Sequence, residues 1–245
     1  MNTNTYRSNA ILAEGKEESM ISEKHAPRLL GAAFLFVFFA SLFSNVLLTS
    51  VVGSGSLSDG LLNVADQLTR VRLSVLGQML TASGIVVLAV LLYVVLSRVN
   101  RILALVALGW WLAEAITLAL IQLGVLALIP LSLDFVRAGA PGESFHQGLG
   151  QFLYYGMAKQ GMTIHMWFYC IGGLLWYAMF FRSRYIPRVI SLWGLVAVAL
   201  ALGAAAFQIF GYAVPLWVSI PLAPFELAIG FWLLLKGIKV GSESQ

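Results

Sequence analysis

The sequence is poor in charge and almost without cysteine. Asp, Glu, Lys and Arg together make up 11% of its 245 residues, against 60% hydrophobic, and the mean hydropathy is +0.87. A soluble domain of this length cannot bury so much apolar side chain and still cover itself with polar surface, which excludes that class. The single cysteine, Cys170, excludes an internal disulfide and leaves the redox compartment unread. No Walker loop, HExxH helix, nucleophile elbow or dinucleotide fingerprint occurs, so the signatures of nucleotide, zinc-protease and hydrolase chemistry are all missing. There is no low-complexity tract and no repeat of about 20–50 residues. No inverted repeat relates the two halves of the chain, unlike the common transporter designs. The net charge of +4 does not signal nucleic acid, because the basic residues are scattered among short loops where membrane orientation accounts for them.

What is present is a series of long apolar runs. Six approach the roughly 20 residues needed to cross about 30 Å of hydrocarbon, at 29–51, 74–97, 102–130, 161–181, 189–210 and 215–236. The sequence thus predicts an all-α, polytopic membrane bundle of six transmembrane helices. Residues 1–26 form a polar tail of mixed charge with Glu14, Lys16, Glu17, Glu18, Glu23 and Lys24, flexible or partly helical. It is not a signal peptide, since the apolar run after it is too long and ends in no small-residue cleavage site. The membrane domain spans 27–238, and 239–245 form a short tail. Two further stretches read as interfacial amphipathic helices. In 57–72, Leu57, Leu61, Val64, Leu68 and Val71 recur at helical spacing opposite Asp59, Asn63, Asp66 and Arg70. After a turn at Gly139-Ala140-Pro141-Gly142, residues 144–158 place Phe145, Leu149 and Phe152 beside His146, Gln147 and Gln151, with Tyr154 and Tyr155 suited to the interface.

Orientation follows from the loops. If both termini share a side with 98–101 and 182–188, that side holds eleven of the 15 Lys and Arg, leaving only Arg70, Arg72, Arg137 and Lys159 opposite. The excess puts both termini in the cytoplasm of a cell-membrane protein, with the two amphipathic helices on the outer face.

The polar residues within the spans are unevenly spread. Ser41, Asn45 and Thr49 fall four apart and share a face of the first span. At 1.5 Å per residue, Asn45 lies about 7 Å outward of its span's midpoint, Gln122 and His165 about 9 Å, and Gln78 and Gln208 about 12 Å. The inner halves are nearly all Leu, Val, Ala and Phe, with Tyr93, Tyr177 and Ser191 as exceptions. Glu114 and Glu226 fall near the midplane, where an ionisable group is by default a functional candidate. This asymmetry points to a pocket open to the outside and floored by the two carboxylates, with Glu114, Glu226, His165, Asn45, Gln122 and Trp110 as its residues. A dry bundle in which amides and hydroxyls bond across helices is the competing reading.

Each candidate carries its own alternative. Glu114 follows Trp110 and Trp111 on nearly one face and serves either as a proton or cation site or as a carboxylic acid bonded to a neighbouring helix. Glu226 follows Pro221 and Pro224, where missing backbone donors are expected to kink the span and free carbonyls beside the carboxylate. His165 shares a face with Tyr169, Gly172 and Trp176, and acts as a base or relay or as a hydrogen-bonded structural residue. No second histidine or acid lies near it in sequence, so no metal site and no cofactor are expected. Cys170 reads as a small core hydrophobe. Gly77 and Gly84, Gly172-Gly173, and Gly203 with the alanines at 204–206 read as close helix packing.

Three local patterns carry a resemblance. They are the basic hairpin Arg182-Ser183-Arg184-Tyr185-Ile186-Pro187-Arg188 with Gly194 beyond it, Glu114 of the third span, and the ending Pro224-Phe225-Glu226-Leu227 through Trp232-Leu233-Leu234-Leu235-Lys236-Gly237. Together, over about residues 28–238, they resemble the bacterial membrane family known as domain of unknown function 4386. The resemblance implies a six-helix bundle and no reaction. The charged tail before Arg28 lies outside the family's pattern.

Three functions compete on this basis. The first is binding or transport of a small ligand, proton or cation at Glu114 and Glu226. The second is a non-catalytic accessory or scaffold protein, motivated by the small-residue faces of spans four and five. The third is an intramembrane enzyme on a lipid-like substrate, with His165 as acid–base group, which requires an acid within reach of His165. The expected partners are the bilayer and a small molecule or cation, with oligomeric state open.

Overall fold

A computed structural model describes residues 3–53, 55–141 and 145–238, the side chains of 3–25 and of 216 excepted. The tail at 239–245, Gly142 of the expected turn, and the charged side chains of the N-terminal tail lie outside what is described. The described residues are mainly helical, with no strand: α1 (Thr3–Val52), α2 (Leu57–Asp66), α3 (Leu68–Leu96), α4 (Arg101–Arg137), α5 (Phe145–Gln151), α6 (Gln160–Ser183), α7 (Arg188–Ile209) and α8 (Leu222–Lys236).

Among the described residues, five helical runs are long and apolar enough to cross a membrane: Ala26–Val52, Leu68–Leu96, Arg101–Arg137, Phe145–Ser183 and Arg188–Ile209. They turn large apolar side chains such as Phe36, Phe43, Leu76, Ile116, Leu120 and Leu123 outward, a surface suited to lipid and not to water. The chain is a multi-pass membrane protein. The last apolar stretch differs from the expected 215–236. α8 has 15 residues, a rise of about 22 Å, short of the roughly 30 Å of a bilayer core. Pro221 and Pro224 do not kink it. Pro221 caps its start and Pro224 sits in its first turn, where the missing N–H has no intrahelical partner to lose.

The helices pack in a ring that follows chain order. α1 lies against α3, α3 against α4, α4 against α6, α6 against α7, α7 against α8, and α8 returns to α1. Neighbours run antiparallel. Along α1 and α8, Pro27 lies near Gly237 and Gly31 near Leu234; along α4 and α6, Ile121 lies near Gly161 and Trp111 near Gly172. One end of the ring therefore gathers the α3–α4 and α6–α7 connections. The other gathers α2, α5 and the α7–α8 connection. Small residues make the seams. A Cβ on Gly77 would come within 3.0 Å of Ser44, and one on Gly84 within 2.8 Å of Val37, so the glycines expected at helix contacts do hold α3 against α1. Gly203 does not. A Cβ there would meet nothing within 4 Å.

Both expected amphipathic stretches are organised differently. The first is two helices, because Gln67 leaves helical geometry at φ −117°, ψ 41°. Upstream, Ser56 and Asp59 cap α2 reciprocally, side chain to backbone. Leu61 and Val64 then bury against α4 and the end of α1, while Val71 already belongs to α3. The second is not a separate helix. From Phe145 the chain runs through a π-helical stretch, Phe152–Lys159, directly into α6. The wider turn buries Leu153, Tyr154 and Ala158 and seats Met157 against Gly124 of α4. α4 also outlasts its expected end at 130, since Leu131 and Phe135 are buried in the same cluster.

Candidate functional site

The ring surrounds a cavity of about 350 Å³ lined from α1, α3, α4, α6, α8 and the α7–α8 connection. It lies where the shortness of α8 matters. Beyond Leu222 the wall is an irregular segment that includes a single 3-10 turn, Leu216–Val218, and Ser219 of that segment faces the cavity. Asn45, Met162 and Ser219 line the end toward α2 and α5. The opposite end is lined by Val37, Ile85, Glu114, Tyr169 and Glu226. Further along the ring, Phe34, Trp111, Trp176, Tyr177 and Phe225 are fully or almost fully buried and fill the interior.

Four ionisable side chains converge on the cavity from three helices: Glu114 from α4, His165 and Tyr169 from α6, and Glu226 from α8. The Tyr169 hydroxyl donates to Glu226 Oε1 at 2.6 Å. His165 Nε2 lies 3.9 Å from Glu114 Oε1, within ion-pair range but too long for a direct hydrogen bond. Glu114 is 3% exposed and His165 9%. Neither Glu114 Oε2 nor His165 Nδ1 has a hydrogen-bond partner among the described residues.

The aromatic packing fixes this arrangement. Trp111 lies one turn before Glu114, stacks on the Tyr169 ring at 5.8 Å and 11°, and donates its indole N–H to the Tyr169 carbonyl at 3.1 Å. Phe34 and Trp176 meet Trp111 edge-on at 6.4 and 6.1 Å. A Cβ on Gly172 would strike the Trp111 indole, so glycine there lets α6 approach α4. The phenol is thereby held where its hydroxyl meets Glu226.

Of the residues picked from the sequence, Glu114, Glu226, His165 and Asn45 line the cavity. Asn45 Nδ2 donates to the Ser41 carbonyl at 2.9 Å, and Thr49 Oγ1 to the Asn45 carbonyl at 2.7 Å, so the shared polar face of α1 is largely satisfied by its own backbone. Gln122 and Trp110 do not line the cavity. Gln122 is buried and donates to the Leu118 carbonyl of its own helix at 3.2 Å. Trp110 stacks on Phe168 at 5.9 Å along the α4–α6 seam. Sequence reasoning did not select Tyr169, Trp111, Thr81 or Ser219. The four-residue step from His165 to Tyr169 was the available signal for the first, and the three-residue step from Trp111 to Glu114 for the second.

Chemically, two carboxylates with a histidine and a phenol can take up a cation or exchange a proton. Among the described residues no three His, Cys, Asp or Glu side chains gather to hold a metal ion. Cys170 is wholly buried in the core and lines no part of the cavity. No curated protein and no solved structure matches the chain. The sequence profile of the family called domain of unknown function 4386 (DUF4386) matches residues 29–237, the ring and its cavity from α1 to the end of α8, and the chain belongs to that family.

Proposed function

We propose that this protein is a six-crossing bundle of the cell membrane, both termini cytoplasmic, whose cavity faces the outer side and binds or passes a small ligand or cation at Glu114 and Glu226. The observation that carries this reading is the convergence of Glu114, His165, Tyr169 and Glu226 on one cavity, with Glu114 almost wholly buried and one of its oxygens unbonded. Ionisable groups inside a membrane domain are costly unless they face water, a partner or a ligand. In this arrangement α8 is the sixth crossing, completed by the irregular segment before it, and α2 and α5 lie at the outer interface. The eleven basic residues counted on the opposite side support the orientation.

The test has two parts. In a Cys170→Ala background, cysteines at positions 45 and 219 should react with a membrane-impermeant thiol reagent added to intact cells. The double variant Glu114→Gln, Glu226→Gln should lose thermal stabilisation by ligands that stabilise the parent. Cysteines that stay unlabelled, or a double variant that keeps every ligand response and ion flux, would sink the proposal. The 3.9 Å between His165 and Glu114 favours a second reading, an acid–base pair acting on a lipid-like substrate, since one water can bridge that gap. That reading requires turnover that His165→Ala abolishes.

A further inference from the structure

We infer that the ligand of this cavity is a small organic ammonium, with an N–H donated to the Glu114 carboxylate and an apolar body lying along α1, α4 and α6. The inference rests on the cavity being a ligand site and names the chemistry of its occupant. At the carboxylate end acceptors outnumber donors. Glu114 and Glu226 both present carboxylates, the Tyr169 hydroxyl is already given to Glu226, a neutral His165 has a single N–H to give, and among the described residues no lysine or arginine lines the cavity. Glu114 Oε2 is buried and unbonded, and a buried acceptor of this kind calls for a donor, most strongly a charged one. An anion is disfavoured by the two carboxylates.

The remaining lining separates organic from inorganic cations. Hard metal ions take six or more oxygen ligands in a close shell, whereas among the described residues no three acidic, histidine or cysteine side chains come close enough together to hold one metal ion. Around the carboxylates stand Val37, Phe38, Ile85, Leu118, Met166 and Leu222. A hydrated ion gains nothing from those walls, but a hydrocarbon or aryl group leaves water against them. The volume of about 350 Å³ sits near the lower end of the range for small-molecule sites, roughly 300–1,000 Å³, and suits one small amine.

The experiment compares 3-phenylpropylamine with 3-phenylpropan-1-ol, one body with and without the charge, on the full chain in detergent by calorimetric titration. Sodium, potassium and calcium chloride serve as ion controls. The amine should bind at least tenfold more tightly than the alcohol, and Glu114→Gln should weaken the amine at least tenfold while weakening the alcohol much less. The amine–alcohol comparison is made on the parent protein and does not depend on the variant folding. Equal binding of amine and alcohol overturns the inference but leaves a ligand site standing. Amine displaced stoichiometrically by one of the metal ions also overturns it, in favour of an inorganic cation. If the amine does not bind while positions 45 and 219 are water-accessible, the ammonium is wrong and the cavity reading survives. If those positions are inaccessible as well, both fall.

Discussion

Replacing Gly31 with alanine tests the ring closure on which the cavity depends. α1 and α8 approach closely here, where a Cβ on Gly31 would fall on the Leu234 backbone nitrogen, 2.7 Å from the Gly230 carbonyl oxygen and 2.8 Å from the Leu233 carbonyl carbon. These atoms belong to a hydrogen-bonded helix, so no side-chain rotation relieves the clash. Ordinary contact begins at 3.4 Å against the 2.7 Å found here, so the two helices must part by at least the difference. A gap of about 0.5–1 Å forfeits a quarter to a half of the dispersion attraction of each atom pair along a seam. Overpacking of this kind costs about 1–3 kcal/mol. Alanine also recovers about 0.4–1 kcal/mol of helix propensity and unfolded-state entropy, and a control removes that contribution. Gly203→Ala makes the same exchange in α7 with nothing within 4 Å of the new Cβ. The difference between the two variants therefore isolates the clash. At about 2–4 °C per kcal/mol for a chain of this size, Gly31→Ala should unfold roughly 2–12 °C below Gly203→Ala, followed by tryptophan fluorescence in detergent. Equal melting temperatures would mean that α1 and α8 do not meet at Gly31, and the ring as described would be wrong.

Two further outcomes are expected. Tyr169→Phe removes the hydroxyl given to Glu226 at 2.6 Å; because Glu226 is only part-buried, the loss should lie near the low end of the range for bonds to charged groups, about 1.5 kcal/mol, seen as a lower melting temperature in the same assay. Cys170 is wholly buried in the core, so a membrane-permeant maleimide should label it only after denaturation. Labelling of the folded protein would refute that placement.

Much of the architecture was legible because it depends on length and period. An apolar run of about 20 residues specifies a helix long enough to cross a membrane whatever surrounds it, and 29–51, 74–97, 102–130, 161–181 and 189–210 each lie largely within a helix. Helical spacing also placed His165 and Tyr169 on one face, and the structure turns both into the cavity. The end of the chain was less legible. Hydropathy ran on through 215–236, but the prolines at 221 and 224 suit a helix start better than its middle, and α8 begins between them.

What the sequence determined by itself is the class, the family and the approximate bounds of five long apolar helices. The tertiary structure alone decided which face of each helix turns inward. Trp110 and Trp111 are neighbours in sequence but point about 100° apart on a helix of 3.6 residues per turn. Only the approach of α6, through Gly172, selects Trp111 to hold Tyr169. Gln122 and His165 share a calculated depth, yet only His165 lines the cavity. Depth follows from counting residues along one chain, whereas azimuth is set by the helix packed against it.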